Sequence, residues 1–326
     1  MFSIRCPSRL VLYLLVLTAG TLNVSAQSYP SRSVRLIVSV APGGGMDFVG
    51  RLVAARLSET MGQPVVVDNR VGAGNIVGTE IVARAAPDGY TLTMANNSSH
   101  GVEPALKSKL PYDVIKDFTP IVVIASAPQL MVIGNTLPAK SVKEFVALAK
   151  SKPGQLNFGS GGPATQTHLA GEMFMHVSGT RLTHVPYNGV GPAFTALLGA
   201  EIQLLFAPTT GAMAHIQAGR LRALGITGTK RSQLVPDIPT LSEQGISGFE
   251  AGAWYALLGP AHLPKSVVTR LNQEVVKMAN TPEFKQRLIT VGAEAVGSTP
   301  EACAQVIRDE IAKWTKLVKD TGIRVD

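Results

Sequence analysis

In "SVAPGGGMDF", residues 39 to 48, three consecutive glycines, Gly43, Gly44 and Gly45, follow an apolar run and open a helix-like stretch. The N–H groups at a helix start are unpaired and lie at the positive end of the helix dipole, so they favour an anion. Glycine lets such a backbone come within hydrogen-bond range. A Walker loop is excluded, because no Lys-Ser or Lys-Thr follows. The dinucleotide fingerprint also fails: Gly43 and Gly45 fit its first two positions, but Phe48 stands at the third. "VGAGNIV" (71 to 77) fails in the same place, with Val77. Two readings remain: a cradle for a small anion, a carboxylate above all, or a tight strand-to-helix turn with no ligand. Asp47 is expected as a dipole partner or cap rather than a ligand group.

"FGSGGPATQTHLAGEMF" (158 to 174) repeats the pattern, running through Ser160, Gly161 and Gly162 into a helix. Thr165, Gln166 and Thr167 fall in its first turn, where hydroxyls and amides can bond a ligand oxygen. Ser160 and His168 raise a hydrolase reading. A nucleophile elbow needs G-x-S-x-G, however, and Phe158 occupies the first glycine position. No acidic partner is placed by the sequence, so a structural or capping role is favoured over catalysis. His168, His176 and His184 are eight apart, which does not match helical metal-ligand pairs. No metal and no cofactor are expected. In "THVPYNGVGPA" (183 to 193), Tyr187 follows a strand and either walls a pocket or fills the core. Thr209 and Thr210 follow another strand as possible polar groups, and Trp254 and Tyr255 either line a cleft or pack a hinge.

The elements that must hold these residues alternate. Strands are expected at 34–40, 64–69 and 91–95, with helices over 46–62 and 75–86 between them. Val49, Leu52, Val53 and Leu57 share one face of the first helix, and Gly62 stands where a C′ glycine belongs. This β-α-β-α-β order implies a parallel sheet flanked by helices. Adjacent strand-like runs, 118–128 and 129–135, mark the passage into a second domain. Ser141 and Glu144 then form a capping-box pattern at the head of a helix over 141–154. Alternation resumes with strands at 156–158, 182–185, 202–206 and 221–226 and helices at 165–177, 191–199 and 211–218. A turn-rich connector (229–248) leads to a returning strand at 249–260. Helices over 264–279, 282–291 and 299–322 close the chain. Two α/β lobes follow from this order: residues 27–127 with 249–326, and residues 128–248. Ligands of open α/β sheets bind beyond the carboxyl ends of the strands, which places a cleft between the lobes and a hinge at the crossovers.

Residues 1–26 read as a signal peptide, with Arg5 and Arg9 before an apolar run (10–22) and a cut expected after Ala26. The run is too short for the roughly 20 residues that span a bilayer. Removal of that segment takes Cys6 and leaves Cys303, so no internal disulfide is available. The net charge of +8 falls to +6 without Arg5 and Arg9. The basic residues are scattered and aromatics are only 6%, which argues against nucleic-acid binding.

Taken together, "YPSRSVRLIVSVAPGGGMDFVGRLVAARLSETMGQPVVVDNRVGAGNIVGTEIVARAAPDGYTL", "LPYDVIKDFTPI", "LNFGSGGPATQTHLAGEMF", "THVPYNGVGPA", "AGRLRALGITGTKRSQLVPDIPTLSEQG" and "AKWTKLVKDTGI" resemble, in order, the Bug-type extracytoplasmic receptors of tripartite tricarboxylate transporters. The resemblance covers essentially all of residues 29–324. It implies a two-lobed, type II-like periplasmic binding fold, no enzymatic activity, and a small carboxylate clasped between the lobes of a monomer that serves integral membrane subunits. It implies that backbone and hydroxyl groups hold the ligand at Pro42, Gly43, Gly44 and Gly45, at Ser160, Gly161 and Gly162, and at Thr165, Gln166, Thr167 and His168, with Asn97 and Ser98 as weaker candidates. One departure matters. The family often carries an acid or amide after the strand at "LLF", where this chain has Ala207, Pro208 and Thr209. Loss of that partner for an ammonium group shifts the expectation from amino acids to plain or aromatic carboxylates, and Met46 is expected to add apolar surface. A ligand sensor of the same fold and the Ser160/His168 hydrolase are the alternatives.

Overall fold

The computed structural model describes residues 29–107, 109–163 and 165–322. The expected signal peptide and its cut lie outside the described residues. Among the described residues, no helix is long and apolar enough to cross a membrane.

The first sheet begins as the sequence leads one to expect. β1 (Val34–Val38) lies between β2 (Val65–Asn69) and β3 (Thr91–Asn96), all parallel. α1 (Gly45–Met61) buries Val49, Leu52, Val53 and Leu57 against them and stops at Gly62, whose φ of 70° is left-handed. α2 (Ile76–Ala83) covers the other face. The chain then makes a π-helical turn (Ser98–Val102) and a short α3 (Glu103–Leu106), neither of which the sequence announces.

β4 (Phe118–Gly134) is one unbroken strand of 17 residues where the sequence suggests two adjacent runs. As far as Pro128 it pairs antiparallel with β9 (Gly252–Pro260), and from Gln129 it pairs with β7 (Leu204–Pro208). β8 (Leu221–Ile226) pairs with it from Leu130. Pro128 suits this change of partners, since it has no N–H to leave unpaired. The second sheet adds β5 (Asn157–Ser160) and β6 (Thr183–Pro186), with β5 parallel to both β6 and β7. α4 (Val142–Ser151) and α5 (Gln166–Ser178) cover one face of it, α6 (Val190–Leu198) and α7 (Thr209–Gln217) the other. Ser141 caps α4 by accepting from Glu144 N–H, while Glu144 reaches back to Lys140 N–H. Phe145, Phe158, Phe174, Phe206 and Phe249 are fully buried in this second core, each contributing about 1.5–3 kcal/mol of burial.

α8 (Lys265–Ala279), α9 (Pro282–Ile289), the two-residue β10 (Glu294–Ala295) and α10 (Pro300–Thr321) complete the chain. α10 belongs to both bodies. Cys303 and Ile307 pack on the first sheet, whereas Trp314 and Leu317 enter the second core. Between them Glu310, 6% exposed, accepts from the indole N–H groups of Trp254 (3.0 Å) and Trp314 and pairs with Lys313 (2.7 Å). Glu310→Ala would strand two buried indole donors and a cation. It should cost about 3 kcal/mol in a urea unfolding curve, as broken buried pairs do; a loss under 0.5 kcal/mol would refute this bracing role.

Candidate functional site

The three glycines have three different reasons to be there. Gly43 sits at φ +96°, a conformation other residues adopt only with strain. Gly45 has ordinary helical geometry, but a Cβ there would stand 2.5 Å from the hydroxyl of Tyr255 on β9. Gly44 has neither constraint. Asp47 closes the turn from inside. Its Oδ2 accepts from Gly43 N–H (3.0 Å) and Arg51 Nε (2.9 Å), and its Oδ1 accepts from Asn69 Nδ2 (2.9 Å). Burial works to raise the Asp47 pKa, but these hydrogen bonds outweigh it and hold the carboxyl below its usual range. Gly43 N–H is therefore engaged internally. The first helical bond runs from Phe48 N–H to Gly44 O, so the N–H groups of Gly44, Gly45, Met46 and Asp47 are the ones α1 leaves unpaired. Pro42, Gly43 and Gly44 are exposed. The Met46 side chain, 3% exposed, packs in the first core and adds no apolar surface to the loop.

The second loop is tied in the same manner. Gly161 N–H donates to Thr167 Oγ1 (2.9 Å) and Gly162 N–H to Ser160 Oγ (3.1 Å). Thr165 caps α5 by accepting from His168 N–H, and its own hydroxyl donates to Gly162 O (2.7 Å). The unpaired donors are then the N–H groups of Gln166 and Thr167. Ser160 is fully buried, and its hydroxyl meets His184 Nε2, not a group of His168, at 2.7 Å; the His168 ring packs on that of His184 at 4.0 Å. His168 Nε2 faces Glu172 at 3.3 Å. Tyr187 is half-buried, packs beside the core cluster of α6 and α7, and approaches Gly159.

The second loop is tied to the first sheet. Gln166 Nε2 donates to Asn97 Oδ1 at 2.8 Å, joining the start of α5 to the end of β3. Asn75, which sequence reasoning passed over, accepts from Ser39 Oγ and donates to Ser98 Oγ, both at 3.3 Å, and so ties three loop ends together. Its φ is 81°, and its place after two glycines in "GAGN" was the one signal the sequence held. Thr209 is nearly fully buried and donates to the Pro128 carbonyl (3.2 Å), at the point where β4 changes sheets. Tyr255 comes from the adjoining strand; its ring packs on the first core while its hydroxyl reaches Gly45. Burial pushes its pKa up, which keeps the phenol a donor. Among the described residues, the one basic head group in these contacts is that of Arg51 on Asp47; the rest are backbone N–H groups, hydroxyls, amides and the His184 ring. A cavity of about 440 Å³ lies elsewhere, along α10 and the start of β9, lined by Thr227, Lys230, Trp254, Glu294, Glu310 and Lys313, and none of the loop residues above lines it.

Residues 49–323 match the family model described as the tripartite tricarboxylate transporter family receptor, TctC. Protein BugT of Bordetella pertussis is 33% identical over 317 residues, covering 97% of each chain. Among solved structures, Rpa4515 of R. palustris with adipate is 33% identical at a TM-score of 0.73, covering 91% of this chain and 99% of that one. MatC of Rhodopseudomonas palustris with bound malate is 32% identical at a TM-score of 0.70, covering 89% and 100%. The protein thus belongs to the TctC family of solute receptors, built on the two-lobed fold of periplasmic binding proteins.

Proposed function

We propose that the protein captures a small carboxylate, a plain or aromatic mono- or dicarboxylic acid, in the periplasm and delivers it to the membrane subunits of a tripartite tricarboxylate-type transporter. It does so as a monomer and without catalysis, after removal of residues 1–26. The observation that carries this reading is a pair of helix starts with unpaired N–H groups, Gly44–Asp47 after β1 and Gln166–Thr167 after β5, the second of them tied to the end of β3 through Asn97. Both present positive dipole ends to an anion. Adipate and malate, bound by the two R. palustris relatives, are ligands of this kind. With Ala207 and Pro208 in the second lobe, no carboxylate follows β7 to receive an ammonium group. The moving bodies are residues 27–127 with 249–326 against residues 128–248. Closure would shift the population towards the clasped form by the ligand's differential affinity for it.

The test is a thermal-shift panel of citrate, succinate, adipate, benzoate, phthalate, nicotinate, aspartate and glutamate. A ligand that binds only the folded state raises Tm by mass action, by the equivalent of about 2.7 kcal/mol at a hundredfold excess over Kd. One class of acid should stand out, and amino acids should not. Silence from the whole panel, or stabilisation by aspartate or glutamate alone, would overturn the ligand assignment. Loss of growth on the stabilising acid after gene deletion would separate transport from sensing.

A further inference from the structure

Ser160 and His184 are far apart in sequence and meet because β5 and β6 pair in parallel, with Phe158 opposite His184 and Ser160 opposite Pro186. Three polar atoms surround the buried Ser160 Oγ: His184 Nε2 at 2.7 Å, Gly162 N at 3.1 Å and Gly162 O at 3.1 Å. A hydroxyl has one proton to give and two lone pairs with which to accept. The Gly162 carbonyl already receives the Thr165 hydroxyl at 2.7 Å. The shorter contact, to His184, is the better destination for the Ser160 proton. A lone pair on Oγ is then free to hold Gly162 N–H.

We infer that His184 is a positioning residue for the ligand loop of the second lobe: by accepting the Ser160 proton, it sets the hydroxyl that fixes Gly162 and with it the start of α5. This rests on the proposed role of that loop in holding a carboxylate. The ring is well placed for the task. It packs against both Phe158 (4.8 Å, 25°) and His168 (4.0 Å, 20°), which also face each other at 6.3 Å, so turning the ring disturbs both contacts. The titratable groups facing it are His168 and, behind that ring, Glu172, both on α5. Burial first, and a charge on His168 second, push the His184 pKa down to about 4, against the opposing pull of Glu172. At neutral pH the imidazole is uncharged and one ring nitrogen is an acceptor.

The test compares His184→Phe, which keeps the stack and removes Nε2, with His184→Gln, whose amide oxygen can take its place. Amide hydrogen exchange is read first, on the full protein without ligand. H184F should speed exchange at Gly161 and Gly162 about tenfold, with residues 169–178 and Tm unchanged, and H184Q should restore protection. Ser160→Ala should match H184F, and the double variant should add nothing. Adipate, the probe, should bind H184F about tenfold more weakly than it binds wild type or H184Q. Wild-type exchange rates in H184F would overturn the inference. So would equal loss in H184F and H184Q with a falling Tm, which marks a general packing defect. Failure of wild type to bind adipate counts against adipate as the ligand, not against the positioning role, which the ligand-free exchange decides.

Discussion

Gly45→Ala should weaken both stability and ligand binding, and Tyr255→Phe should repair most of the damage. The added methyl would stand 2.5 Å from the Tyr255 hydroxyl and 3.3 Å from its ring carbon Cζ. Overpacking of this kind costs about 1–3 kcal/mol. Tyr255 cannot easily step aside, because its ring is packed on the first core and its backbone sits in β9 between Asn96 and Ala125. Taking away the hydroxyl removes the closest contact and leaves the one at 3.3 Å, which a small shift absorbs. Gly44→Ala is the control: its Cβ meets nothing within 4 Å, and the change should stay within about 0.5 kcal/mol. Urea unfolding of wild type, G45A, Y255F, G45A/Y255F and G44A, with a titration of the acid that performs best in the thermal panel, gives both quantities. Additive losses in G45A/Y255F would show that close approach to Tyr255 is not why residue 45 lacks a side chain.

The second large effect is with acid. His100, in the π-helical turn, is fully buried; its Nδ1 meets Ser99 Oγ at 2.9 Å, and its Nε2 has no partner among the described residues. Burial pushes its pKa from 6.5 down to about 3. An unfolded chain takes up this proton near pH 6.5, and the folded chain takes it up only near pH 3. Between those values the unfolded state binds more protons, so stability falls as pH falls. His184, down to about 4, acts in the same direction over pH 6.5 to 4. Each pH unit across the His100 window is worth about 1.4 kcal/mol, or about 3 kcal/mol between pH 6.5 and 4.5. Urea unfolding at pH 7.0 and 4.5 reads the difference. His100→Phe, which keeps the edge contact with Phe118, should lose markedly less stability over that interval than wild type. An unchanged pH dependence in H100F would rule His100 out as its source.

How far the sequence led is best seen at particular residues. α1 was legible because its apolar face and Gly62 are both local signals, and both survive unchanged. β4 read as two runs because Pro128 interrupts the pattern; only the changing partners on its flanks reveal one continuous strand. The π-helical turn carried no signal, since what shapes it is α10: a Cβ on Gly101 would stand 2.4 Å from Glu310 Cγ, two hundred residues along the chain. Of the candidate site, the two glycine loops were legible as loops after strands from composition and position. Their internal ties were not. Which histidine meets Ser160 depends on the register of β5 on β6, and Gln166 meets Asn97 only once both lobes are in place. Side-chain partners across a sheet or a cleft are tertiary facts, with no period for a sequence to display.

The position of β9 bears on the order in which the protein can be completed. It lies between β3 and β4, with Leu258 opposite both Thr93 and Pro120. The strands of the second sheet pair using only residues 129–226, although its core also takes Phe249, Trp314 and Leu317. The first sheet, although its strands are made earliest, has a gap at its centre until residues 252–260 arrive. A chain translocated from its N-terminus would therefore pair the strands of its second sheet first, while β3 and β4 still expose bare edges, the arrangement most open to mispairing. Threading that last strand, with its long-range partners, is the step that a holding chaperone in the receiving compartment would have most to protect.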